Sequence, residues 1–341
     1  MTSGGLPELD ALESILDMND PHVSVRTLCD VSASEHRFPI YEISLGGTDP
    51  GLPAVGFFGG VHGLERIGTQ VLLAFLRTLL ERLKWDGLFR DHLERVRLVF
   101  VPLVNPAGMW RCTRCNPRGV DLMRNAPVES SERVPFLVGG QRFSSRLPWF
   151  RGAADAPMEL ESQALCKVVR EALLNSEFSI ALDCHSGFGI RDRIWFPYAY
   201  TANPIHHLPE VYALEQLFHR TYPNHDYVFE PQSTQYLTHG DLWDHLYRHV
   251  EKKRPQVFLP LTLEMGSWRW IRKSPMQLFS RIGLFNPLPT HRLQRVLRRH
   301  LLWFEFLMLA AAGYRKWLPG EGERAELHAR ARARWYGAAS P

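Results

Sequence analysis

The chain has 341 residues, 45% of them hydrophobic and 22% charged, and its 40 Lys and Arg against 36 Asp and Glu leave a formal charge of +4. These values exclude a disordered or fibrous chain and leave an α/β enzyme-sized unit able to fill its own core. The five cysteines are odd in number and form no regular framework, so no disulfide scaffold is indicated.

Residues 6–18 read as a short amphipathic helix ahead of two strand-like runs at 23–29 and 38–45. Residues 53–58 form a compact apolar strand closed by Gly59-Gly60, which feeds a helix over 66–84 with apolar positions at helical spacing. Residues 96–104 are a second near-continuous apolar strand, 179–183 a third and 257–263 a fourth. Strands without polar alternation, separated by helices, indicate an α/β fold with a largely parallel sheet covered on both faces. The stretch 127–157, rich in Pro, Gly and Ser, reads as an irregular surface excursion. Residues 290–317 read as one long helix, apolar enough to dock on the sheet. Beyond Pro319 the composition turns to Ala, Arg, Glu and Gly, the mark of a weakly packed tail. The expected organisation is a single catalytic domain over 1–318 with a tail over 319–341.

The chemistry sits at the strand ends, where open α/β sheets bind their ligands. The 53–58 strand leads to Val61-His62-Gly63-Leu64-Glu65, and the 96–104 strand to Asn105 and the segment Trp110-Arg111-Cys112-Thr113-Arg114. The 179–183 strand leads to Cys184-His185-Ser186-Gly187, and the 257–263 strand ends in Glu264-Met265-Gly266. Two histidines and two carboxylates therefore reach one rim from three strands. A catalytic zinc takes three nitrogen or carboxylate ligands and keeps one open position. His62 and Glu65, three apart at a helix entrance, can face one point, and His185 completes the set. Glu264 is left over to take a proton from water on the metal.

Gly60-Val61-His62-Gly63-Leu64-Glu65, Trp110 to Arg114, Gly119-Val120-Asp121-Leu122-Met123-Arg124-Asn125 and Leu263-Glu264 resemble the zinc metallocarboxypeptidases of the carboxypeptidase A-like type. They stand in the family's order, and the resemblance covers roughly residues 24–314. It implies a three-layer α/β/α fold with a mixed, mostly parallel sheet of about eight strands. It implies one Zn2+ per chain on His62, Glu65 and His185, Glu264 as general base, and hydrolysis of a C-terminal peptide bond by zinc-activated water. Arg114 matches the arginine that steadies the oxyanion, as a fixed cation does where negative charge develops. Arg124 matches the arginine that grips the substrate's terminal carboxylate, and Asp121 the carboxylate that orients a histidine ligand. Met123 stands where the family usually places Asn beside that arginine. The family's substrate-contacting tyrosine falls shortly before the general base, which places it at Tyr247.

The succinylglutamate desuccinylase and aspartoacylase group shares the ligand pattern, so a zinc-dependent N-acyl amino acid deacylase is the alternative reading. A zinc-binding protein without catalysis is a third, disfavoured by the presence of both Glu264 and Arg114. A peptide or N-acyl amino acid is thus the expected partner, with no nucleic acid and no membrane. The opening residues lack the pattern of a signal peptide, and the cytoplasm is the expected compartment. Cys112-Thr113-Arg114-Cys115 lacks a second pair to finish a zinc site and reads as loop thiols. His245 and His249 could share a helix face, but Leu246 follows His245 where a zinc protease would need Glu, so both read as surface or capping histidines.

Overall fold

The computed structural model describes residues 5–18, 20–250 and 256–337. It opens with helix α1 (Pro7–Leu16), whose Pro7 and acidic first turn suit a helix N-terminus. A long antiparallel hairpin follows, β1 (Val23–Ala33) and β2 (His36–Gly46). Next come β3 (Ala54–Gly59), α2 (Arg66–Leu83), α3 (Gly87–Leu93), β4 (Arg97–Val101) and α4 (Pro106–Trp110). The excursion over 127–157 contains no helix and no strand beyond an isolated bridge between Gln141 and Phe150. It leads to α5 (Leu160–Val168), β5 (Phe178–Ser186), β6 (Arg193–Phe196), α6 (Leu208–Thr221) and β7 (Val228–Pro231). The chain ends with α7 (Leu242–Arg248), β8 (Val257–Met265), α8 (Trp268–Lys273), α9 (Thr290–Arg299), α10 (Leu301–Ala312) and α11 (Glu321–Trp335).

All eight strands join one sheet in the order β1-β2-β4-β3-β5-β8-β6-β7. The pairs β3–β4, β3–β5, β5–β8 and β6–β7 are parallel, and β1–β2, β2–β4 and β6–β8 antiparallel. Every residue of β3 and β5 is buried, as apolar runs without alternation require. Consecutive residues Phe57 and Phe58 show the two covering layers. Phe57 packs on Phe75 of α2 and Phe304 of α10, while Phe58 packs on Trp243 of α7 across the sheet. Each such large apolar side chain contributes about 1.5–3 kcal/mol by leaving water. The β5–β8 register sets His185 opposite Glu264, so both side chains leave the sheet on the same face at the same rim.

Two expectations need correction. The helix over 290–317 is two helices, because the chain bends at His300, whose buried ring bonds the Tyr227 hydroxyl at 2.8 Å. The residues after Pro319 are not weakly packed: α11 docks on α6 and buries Ala331 and Trp335. The Trp335 ring meets Phe196 and Tyr212, and its indole N–H donates to the Phe229 carbonyl at 2.8 Å. Strands β6 and β7 went unread, because four residues each are too few to show a period.

Candidate metal centre and active site

The turn between β3 and α2 carries two of the predicted ligands. Gly60 turns the chain at φ +66°, a conformation that favours glycine. Gly63 lets the α4 backbone pass so close that an added Cβ would lie 2.2 Å from the Gly108 carbonyl carbon. These two glycines hold His62 over the end of β3 and bring Glu65 to the start of α2. His62 Nδ1 lies 2.8 Å from Glu65 Oε1, and His185 Nδ1 lies 3.0 Å from Glu65 Oε2 and 3.2 Å from His62 Nδ1. All three side chains are buried, with their ligand atoms within 4.8 Å of one another.

The far sides of both rings are occupied. His62 Nε2 faces Asp121 Oδ1 at 3.1 Å, and His185 Nε2 faces Asp183 Oδ2 at 2.7 Å. An ionised carboxylate only accepts hydrogen bonds, so each Nε2 carries its ring's proton and each Nδ1 lone pair points inward. Two ring acceptors and a carboxylate then converge on one point, an arrangement that a cation satisfies. The donor set of two imidazoles and one carboxylate, with room beside it in a cleft, fits zinc.

The cleft above this cluster has a volume of about 600 Å³. His62, Glu65, His185, Glu264, Arg114, Met123 and Arg124 all line it. A larger groove, about 1210 Å³, lies at the opposite rim of the sheet near Leu45 and Arg97 and holds none of these groups. Glu264 Oε1 accepts from the Phe188 N–H at 3.0 Å. Burial, reinforced by the nearby Glu65 charge, pushes its carboxyl up to about 8. Arg114 is anchored by Nε to Asp121 Oδ2 at 2.8 Å and by Nη1 to Glu65 Oε1 at 3.3 Å. Asp121 thus serves His62 and Arg114 at once, and burial is outweighed by Arg114 and His62, which keep it ionised. Arg124 is 3% exposed, rests against the Tyr236 hydroxyl, and forms no ion pair among the described residues.

Tyr247 is not where the sequence placed it. It is fully buried beneath the sheet rim, with its hydroxyl 2.8 Å from His207 Nδ1, and lines no part of the cleft. The tyrosine that does line the cleft is Tyr236, farther ahead of Glu264 and outside any helix or strand. Asp183 was missed as well, although its place two residues before His185 on one strand puts both on the same face. Cys112 and Cys115 are free thiols on the loop that carries Arg114, and His245 and His249 lie on α7 and its C-terminal cap, outside the cleft.

Comparison with known proteins identifies the family and the fold. A profile of the zinc carboxypeptidase family matches residues 15–259. Carboxypeptidase SOL1 of Arabidopsis thaliana is 28% identical over 130 residues, 37% of this chain and 26% of that protein. Carboxypeptidase D of Anas platyrhynchos is 25% identical over 215 residues, 58% of this chain and 14% of that protein. The chain therefore spans a minor part of the length of these relatives. Bovine thrombin-activatable fibrinolysis inhibitor, solved with a tick carboxypeptidase inhibitor, superposes with a TM-score of 0.65 at 18% identity, covering 92% of this chain and 100% of that one. At that identity the likeness establishes the fold.

Proposed function

Because the chain belongs to the zinc carboxypeptidase family, we propose that it is a zinc-dependent metallocarboxypeptidase that holds one zinc ion on His62, Glu65 and His185 and releases residues from peptide C-termini. The observation that carries this reading is Arg124, a buried guanidinium facing the cleft without a carboxylate partner among the described residues. A buried charge without a directly paired counter-ion is costly; Asp121 and Asp241 act on Arg124 without forming an ion pair with it, so the guanidinium is free to take an anion, and a peptide's terminal carboxylate supplies one. Bound zinc supplies a Lewis acid and lowers the pKa of water. The other parts belong to the chain. Arg124 and Tyr236 hold the terminal carboxylate and so fix which peptide bond lies beside Glu264. Glu264, steadied by the Phe188 N–H, takes the proton of the attacking water and returns it to the leaving amine. Arg114, held by Asp121 and Glu65, presents a fixed positive charge to the oxyanion.

The test is mass spectrometry of a mixed peptide pool incubated with zinc-loaded protein. Each peptide is present with a free and with an amidated C-terminus, and several N-acyl amino acids are added. Stepwise loss of C-terminal residues from the free forms alone is expected. Cleavage of only the N-acyl amino acids would overturn this reading in favour of the deacylase.

A further inference from the structure

A peptide whose C-terminal residue is held by Arg124 must leave the cleft across its mouth, and the two sides of that mouth share one character. On one side, Pro148 and Trp149 line the cleft. Just before them in the chain, Leu147, Phe143 and Phe136 stand 42%, 76% and 78% exposed, the two phenylalanine rings 6.3 Å apart. On the other side, Trp268, Leu284 and Phe285 line the cleft. The short 3-10 turn between them (Pro275–Phe279) holds Met276 and Phe279 73% and 85% exposed. That turn is braced rather than loose. Gln277 is buried beneath it, and its side-chain amide donates to the Gly283 and Asn286 carbonyls at 3.0 and 3.1 Å. Exposed apolar side chains close in the chain to residues that line the cleft mark a contact surface.

Charge gives that surface its sign. From Met265 to Phe304 the sequence holds eight Lys or Arg and no Asp or Glu. Arg272 lies one helical turn beyond Trp268 on α8, so the two share a face at the mouth. On the 127–157 excursion, Arg146 stands exposed two residues before Pro148. Neither Arg272, Lys273, Arg281 nor Arg146 forms an ion pair among the described residues, whereas of the acidic residues on the same excursion Glu129 is paired with Arg151 and Glu132 accepts from the Thr201 hydroxyl and the Ala202 N–H, which leaves Asp155. A second copy of the chain docking here would bring like charges together.

We propose that this rim is a docking surface for the substrate chain ahead of the bond to be cleaved, and that it selects acidic polypeptides with apolar side chains interspersed. This inference rests on the carboxypeptidase reading for its direction, since the held C-terminus is what leads the chain across the rim. Unpaired cations close in the chain to the cleft lining attract Asp and Glu as the chain emerges, and the exposed aromatic rings cover its apolar residues.

The experiment uses three fluorescent peptides with one C-terminal dipeptide and upstream positions of Glu and Leu, Lys and Leu, or Ser alone. Binding is followed by anisotropy on the zinc-loaded protein carrying Glu264→Gln, and hydrolysis of a blocked dipeptide, too short to cross the rim, is followed on the unmodified protein. The Glu and Leu peptide is expected to bind on the order of tenfold tighter than the Lys and Leu peptide at low salt, with the gap closing at high salt. In R272E/K273E the preference should shrink or reverse while hydrolysis of the blocked dipeptide stays unchanged. Equal binding of all three peptides would overturn the proposal, as would an acidic preference indifferent to R272E/K273E. Binding to vesicles containing phosphatidylserine without any peptide preference would overturn it in favour of a lipid surface. Salt-sensitive binding of the acidic peptide with no hydrolysis of the blocked dipeptide would leave the rim assigned and the proposed reaction wrong.

Discussion

Asp183 accepts the Nε2 proton of His185 at 2.7 Å, and the Trp243 indole donates to the same carboxylate oxygen at 2.9 Å. Asp121 does the equivalent for His62, so each imidazole of the metal cluster is oriented from behind by its own carboxylate. Such partners fix the tautomer and make the inward nitrogen a better ligand. Asp183→Asn keeps the size of the side chain and removes its charge. Zinc affinity should fall by about 10- to 100-fold, read by competition against a fluorescent chelator at limiting metal. An unchanged affinity would show that Asp183 is merely a buried strand residue.

Glu264 projects from β8 beside the His62, Glu65 and His185 group rather than into it, and the proposed reading makes it the proton acceptor. Glu264→Gln keeps the shape and the Phe188 contact but cannot take a proton. Zinc binding should persist while turnover falls by at least about two orders of magnitude, the scale of a positioned acid or base. Near-normal turnover on a peptide with a free C-terminus would remove Glu264 from the mechanism.

Much of this site was legible in the sequence because its parts lie where strands end. The runs that became β3, β4, β5 and β8 are buried on both faces, so they announce themselves by apolar continuity, and His62, Glu65, His185 and Glu264 follow directly from their ends. Residues placed by tertiary contact alone were not legible. Tyr236 sits in a loop with no period to mark it, and Tyr247, in a stretch that looks similar, is drawn inward by its helix to bond His207. Asp183 was hidden inside an apolar run. The segment that became α11 reads as weak because only Ala331 and Trp335 anchor it fully, and no composition window reveals two residues.

Met123 occupies the position beside Arg124 and lines the cleft with an apolar side chain. In the proposed carboxypeptidase reading, the terminal carboxylate of a substrate meets the Arg124 guanidinium and the Tyr236 hydroxyl, and Met123 offers it no donor. Met123→Asn puts an amide donor at that position. One added hydrogen bond to a charged group contributes about 1.5–3 kcal/mol, so KM for peptides with a free C-terminus should fall by roughly tenfold or more, while amidated peptides remain uncleaved. Steady-state kinetics on a matched pair of peptides reads this directly. An unchanged or raised KM would mean that the carboxylate does not reach this side of Arg124.

His300 sits at the break between α9 and α10, where burial pushes its imidazole down to about 4, a shift the Arg299 charge assists and the Asp192 charge partly opposes. The unfolded chain binds a proton at this residue near the ordinary value of about 6.5, so between about 6.5 and 4 the unfolded state holds more protons than the folded one. Stability linked to His300 is therefore fully present above pH 6.5 and is lost as pH falls towards 4. The loss at pH 4.5 should amount to about 2–3 kcal/mol from this residue alone. Urea unfolding at pH 7 and pH 4.5 measures it, and His300→Asn should lose less stability over that interval than the unmodified chain by a similar amount. His225 and His245 are also pushed down to about 4, so the variant keeps part of the acid sensitivity. Identical acid losses in both proteins would place the titrating group elsewhere and leave His300 a packing residue.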